Sequence, residues 1–144
     1  MRIIAADDEA LMLDMLTDRI RQACPQGEIH PFSSARRLLA WLEETGEGFD
    51  VAFLDIEMPG MSGLDAARAV LAQRPSCRVI FVTAYSLFQY AHEAVHLGAC
   101  DYLLKPVDPD ETEAAIRRAI RQIEAGRRLA ELAAEAPEPE TAPE

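Results

Sequence analysis

Basic residues are scarce in this chain, and lysine is nearly absent. The 144 residues hold 14 Lys+Arg against 25 Asp+Glu, a formal charge of −11. Thirteen of the basic residues are arginine, so Lys105 is the only lysine. A surface this acidic argues against nucleic-acid binding by this segment, which would need a basic patch for the phosphates. Cysteine is also sparse. Cys24, Cys77 and Cys100 are odd in number and form no CxxC pair, the pattern of reduced thiols in a cytoplasmic protein. No stretch approaches the roughly 20 apolar residues of a membrane span. The start, Met1-Arg2-Ile3-Ile4-Ala5-Ala6-Asp7-Asp8, meets charge too early for a signal peptide. Apolar residues, at 49%, are sufficient for one core of ordinary size, which normally serves about 100–150 residues.

The charge is unevenly spread. Residues 131–144 contain five Glu and no basic residue, so they hold −5 and the first 130 residues hold −6. From about Glu131 the composition turns to Ala, Glu, Pro and Thr without a face to bury, which predicts a linker or disordered tail. The division expected is a domain over 1–125, then the end of the last helix and the acidic tail over 126–144.

Before that tail the chain alternates strands and helices. Ile3–Ala6 is a short apolar run. Met12, Met15, Leu16, Ile20 and Ala23 follow on one helical face, ended by Pro25-Gln26-Gly27. Glu28–Phe32 is a weaker strand candidate. Ser33 or Ser34 can cap a helix with an inner face of Ala35, Leu38, Leu39 and Leu42. Val51-Ala52-Phe53-Leu54 and Val79-Ile80-Phe81-Val82 are apolar at every position, as in strands buried on both faces. Between them, a loop over Met58–Gly63 leads into a helix carrying Leu64, Ala67, Val70 and Leu71. A fourth helix is predicted over 86–97, a fifth strand at Tyr102-Leu103-Leu104, and a fifth helix from Pro109 with Ile116, Ile120 and Ile123. Five β-α units predict an α/β fold: a doubly wound, five-stranded parallel sheet, order 2-1-3-4-5, covered by five helices in the flavodoxin-like manner.

In such a sheet, ligands bind outside the carboxyl ends of the strands. Asp7 and Asp8, Asp55 and Glu57, Thr83, and Lys105 all land there. Clustered carboxylates repel unless a cation or a proton intervenes. Mg²⁺ suits the position, since it takes few carboxylates and completes its shell with water and phosphate oxygens. Lysine and hydroxyl opposite the metal can hold the remaining oxygens of a phosphoryl group, and Asp55 is the candidate nucleophile. The plainer alternative is that these acids merely cap helices.

The motifs resemble the receiver domain of two-component response regulators over residues 1 to about 125. The resemblance is carried by Asp7-Asp8-Glu9, Leu54-Asp55-Ile56-Glu57-Met58-Pro59-Gly60-Met61-Ser62-Gly63, Val82-Thr83-Ala84 and Leu104-Lys105-Pro106, four motifs in order on the predicted elements. It implies that Asp55 accepts a phosphoryl group from a sensor histidine kinase or a phosphotransfer protein. Asp8, Asp55 and the backbone carbonyl of Glu57 would ligate Mg²⁺, with Asp7 acting through water. Lys105, Thr83 and Ala84 would hold the phosphoryl group, and the bond from Lys105 to Pro106 would be cis. Thr83 and Tyr102 would form the switch, reshaping the face made by the fourth helix, fifth strand and fifth helix. That face is also a candidate homodimer interface. Glu57 and Tyr85 would tune the lifetime of the phosphoryl group. Read without the family, Tyr102 is an amphipathic residue at a strand edge, and Glu57 and Tyr85 are solvated rim residues.

Residues 81–85 and 98–106 are further similar to receivers joined to LytTR-type (AlgR-like) DNA-binding domains. That likeness implies transcription regulation through a DNA-binding domain outside this chain. The alternative is a stand-alone receiver acting through protein contacts. Two rival enzymes share parts of the pattern. His92-Glu93-Ala94-Val95-His96 satisfies the HExxH zinc-protease motif, but Ala99 breaks its extended form and the two histidines fit an incidental surface pair. A Mg²⁺-dependent phosphatase with an aspartyl nucleophile would ordinarily carry D-x-D after strand one and a cap, whereas the acids here are adjacent. Arg117, Arg118, Arg121, Arg127 and Arg128 make the last helix basic, either as a solvated face or opposite acids across a dimer.

Overall fold

The computed structural model describes residues 1–46, 48–84 and 101–135. The chain runs β1 (Arg2–Ala6), α1 (Ala10–Ala23), β2 (Glu28–Phe32), α2 (Ala35–Thr45), β3 (Val51–Asp55), α3 (Gly63–Gln73), β4 (Arg78–Thr83), β5 (Asp101–Leu104) and a C-terminal helix, Pro109–Glu135. All four strand pairings are parallel, in the order β2-β1-β3-β4-β5. The helix expected over 86–97 lies outside the described residues, as do Tyr85, His92, His96 and Cys100.

Strand periodicity sorts the core into two layers. Ile4, Ala6, Ala52, Leu54, Val79 and Phe81 face α2 and α3. Ile3, Ala5, Val51, Phe53, Ile80 and Val82 face α1 and the C-terminal helix. Successive side chains point to opposite faces, so the unbroken apolar runs of β3 and β4 serve both layers at once. Each fully buried Ile, Leu or Phe contributes roughly 1.5–3 kcal/mol. At the edge, β2 is only half-buried and contains Pro31, which an edge position tolerates because its missing N–H breaks no further ladder.

Helix ends follow their cap residues. The Ser34 hydroxyl accepts from the N–H of Arg37 at 3.1 Å and opens α2. Gly46 closes that helix at φ 60°, the left-handed conformation that favours glycine. Ser62 opens α3 by accepting from the N–H of Asp65 at 3.2 Å.

Two expectations need correction. Along α1 the buried residues are Leu16, Thr17 and Ile20, with Leu13 packed beside them, while Met12 and Met15 are only half-buried. Thr17 escapes a reading based on apolar residues, yet its hydroxyl donates to the Asp14 carbonyl at 3.0 Å and leaves a satisfied side chain to bury. At the other end, residues 131–135, expected in the tail, are helical. The C-terminal helix continues to Glu135, exposed throughout residues 124–135, because Ala, Leu, Glu and Arg favour helix without needing a buried face.

Candidate functional site

The carboxyl ends of β1, β3 and β4 lie side by side, and β5 delivers Lys105 beside them. Asp55 is the last residue of β3 and is 3% exposed. Asp7 follows β1 and is buried, whereas Asp8 is exposed. Carboxylate oxygens of all three lie within 4.8 Å of one another. The Lys105 ammonium reaches between them, 2.7 Å from Asp7 Oδ2 and 3.4 Å from Asp55 Oδ2. Remaining oxygens take backbone donors: Glu9 N–H donates to Asp7 Oδ1 at 2.9 Å, and Glu57 N–H to Asp55 Oδ1 at 3.3 Å.

Burial pushes the Asp55 carboxyl up to about 7, with the Asp7 charge adding to the rise and Lys105 opposing it. For Lys105, burial works against the ammonium, but the hydrogen bond to Asp7 and the charges of Asp55 and Asp7 outweigh it and raise the pKa. The three groups therefore form one coupled unit in which two acids share a single cation. The all-oxygen donor set, with one exposed carboxylate beside a buried one, fits a hard divalent cation such as Mg²⁺.

The site opens into a cleft of about 730 Å³ lined by Asp8, Asp55, Glu57, Thr83, Ala84 and Lys105. Thr83 ends β4 and is fully buried. Its carbonyl accepts from Lys105 N–H at 2.8 Å, tying the two segments together. The Lys105–Pro106 peptide bond is cis. Tyr102 is half-buried, aligned with Phe81 across β4 and β5 and packed on the α2/α3 layer rather than lining the cleft. Tyr85 lies outside the described residues.

Gly63 closes the motif around Asp55, but the motif does not say why a glycine is required there. Its N–H donates to the Ile56 carbonyl at 2.9 Å, and a Cβ there would overlap the Asp55 carbonyl oxygen. Only glycine lets α3 start this close to the acceptor strand. The available signal was a glycine placed immediately after the capping Ser62. Gly60 turns the loop at φ 83°, and Met58 anchors it in the core.

A family model for the response regulator receiver domain matches residues 3–117. The chain belongs to the response regulator receiver family. It is 35% identical over 136 residues to the alginate biosynthesis transcriptional regulatory protein AlgB of Pseudomonas aeruginosa, covering 92% of this chain but 28% of AlgB. Among solved structures, a CheY-like receiver domain protein from Methanospirillum hungatei superposes with a TM-score of 0.78 at 27% identity, covering 87% of this chain and 97% of that one. The BeF3-activated receiver domain of DrrB gives 0.73 at 27% identity, covering 83% and 97%. The receiver fold and its sheet order are therefore shared, and receivers are signalling domains. No helix among the described residues is long and apolar enough to cross a membrane.

Proposed function

We propose that this receiver accepts a phosphoryl group on Asp55 from a phosphohistidine of a sensor histidine kinase or phosphotransfer protein. The observation that carries this reading is the Asp55 carboxylate itself, almost buried yet lining an open cleft, with Lys105 at 3.4 Å and two further acids alongside. A carboxylate oxygen of Asp55 attacks phosphorus while the P–N bond of the donor breaks, and the departing imidazole nitrogen keeps the bonding pair and takes up a proton. Asp8, Asp55 and the Glu57 carbonyl would hold Mg²⁺, with Asp7 acting through water. Bound there, the ion would supply charge neutralisation at the transferring oxygens.

The chain's own residues do the rest. Lys105 shifts from Asp7 toward a phosphoryl oxygen. The Thr83 hydroxyl takes a second oxygen, and Ala84, whose side chain is a methyl, contributes through its N–H. Thr83 moving toward the phosphoryl group leaves room for Tyr102 to turn inward and alter the β5 edge, a local change biasing a two-state element. Couplings of this kind are typically about 1–3 kcal/mol. Glu57 and Tyr85 border the path of attacking water and set the phosphoryl lifetime.

The output we infer is control of transcription in the cytoplasm, through a LytTR-type DNA-binding domain beyond this chain. It is supported by the likeness of residues 81–85 and 98–106 and by the transcriptional regulator among the relatives. The chain spans 28% of that relative; a stand-alone receiver acting through protein contacts is the competing form. A homodimer through the β5 and C-terminal-helix face is consistent with the basic stripe.

The test is incubation with a small phosphodonor and Mg²⁺, followed by intact mass. One phosphoryl group per chain is expected, lost in Asp55→Asn and retained in His92→Ala. Labelling that survives Asp55→Asn overturns the assignment. Many-fold turnover of a phosphomonoester would favour the phosphatase instead. DNA binding and mass of the native protein distinguish the two outputs.

A further inference from the structure

The end of the sheet opposite Asp55 gathers several arginines. Phe49 and Asp50 lead into β3 there, Arg74 to Arg78 lead into β4, and the C-terminal helix passes alongside. Together they enclose a cleft of about 330 Å³ whose walls include Arg74, Ser76, Arg78, Gln122 and Arg127. We propose that this cleft binds a phosphate dianion, free or as a small phosphomonoester.

Three observations support it. First, among the described residues the buried Nε atoms of Arg74 and Arg78 have no hydrogen-bond partner, and no carboxylate pairs with either guanidinium. A buried donor left without an acceptor is costly, and guanidinium is the side chain best shaped to bridge a phosphate.

Second, the one acid among the described residues that line the cleft is already engaged. Asp50 Oδ2 accepts from Arg2 N–H at 2.9 Å, and Asp50 Oδ1 faces Arg127 at 3.4 Å. Against it stand Arg74, Arg78 and Arg127, an excess of two positive charges among the described lining residues in a chain whose total is −11.

Third, Arg74 is held in place. Its guanidinium carbon lies 6.0 Å over the Phe49 ring, and a Cβ on Gly48 would overlap the guanidinium. The loop thus leaves room for that group through a glycine. Because Gln122, Gly126 and Arg127 belong to the C-terminal helix, a bound dianion would fasten this helix to the start of β4. Its effect would be felt where the helix leaves the domain.

The experiment titrates inorganic phosphate into the full chain at constant ionic strength, with a chelator present to remove divalent cations from the Asp55 cleft. Arginine Nε–H resonances and backbone amide exchange are recorded. The expected result is a saturable shift at Arg74 and Arg78 with slower exchange over residues 122–130. Arg74→Gln and Arg78→Gln, made separately so that either can carry the test if the other misfolds, each weaken binding roughly tenfold or more. Arg121→Gln, exposed on the same helix but outside the cleft, binds as the native chain does. Shifts that grow without saturating, an equal loss in Arg121→Gln, or a response abolished by Asp55→Asn would each overturn the proposal.

Discussion

At the scale of single residues the chemistry turns on how one lysine is shared. Asp55 titrates near 3.8 when unfolded and about 7 when folded without metal, raised first by burial and then by Asp7. A raised carboxylate pKa favours the folded state fully below about 3.8, and the benefit is lost as pH climbs through 7. Asp55→Asn removes the charge but keeps the shape. In chelator at pH 8 it should therefore be more stable than the native chain, on the order of 4 kcal/mol, and the gap should shrink as pH falls below 7. Urea midpoints at the two pH values check this; equal midpoints at pH 8 would contradict it. The acids and the lysine were legible in the sequence, because strand ends followed by Asp, Thr and Lys stand out against apolar runs. Which member of Asp7-Asp8 is buried was not. Neighbours at a strand end point to opposite sides, and only the position of β5 decides which one meets Lys105.

At the scale of elements, the structure separates residues that build the site from residues that merely build the helix. Gly63→Ala forces α3 away from the Asp55 carbonyl. It should cost about 3 kcal/mol, the upper part of the range for overpacking, and it should also slow phosphoryl labelling of Asp55. Ser34→Ala removes the α2 cap without changing any residue that lines the cleft. It should cost about 1 kcal/mol and leave the labelling rate unchanged. Urea midpoints and labelling time courses on the two variants test the distinction. The strands β3 and β4 were readable because every residue is apolar. The buried face of α1 was misread at Thr17, whose local hydrogen bond to Asp14 is invisible in a hydropathy pattern. The end of the C-terminal helix was placed too early at Glu131, since loss of a buried face was taken as loss of helix.

At the scale of the whole molecule, stability should depend on divalent cations. With Mg²⁺ at about a hundredfold over its dissociation constant, binding to the folded state alone adds about 2.7 kcal/mol. Melting temperature should rise accordingly in Mg²⁺ relative to chelator for the native chain. It should rise far less in Asp8→Asn and Asp55→Asn. A rise of equal size in all three would place the ion elsewhere.

The two ends of the parallel sheet also have a joint consequence. Asp7, Asp8, Asp55 and Glu57 gather beyond the carboxyl ends of the strands, whereas the amino ends mix Arg2, Arg74 and Arg78 with Glu28, Asp50 and Asp101, so the Asp55 end is the more negative of the two. In dilute salt, a partner with a cationic docking surface would meet the chain already turned with Asp55 foremost. A small anionic phosphodonor would be held off by the same field. Added salt should therefore slow the first encounter and hasten the second.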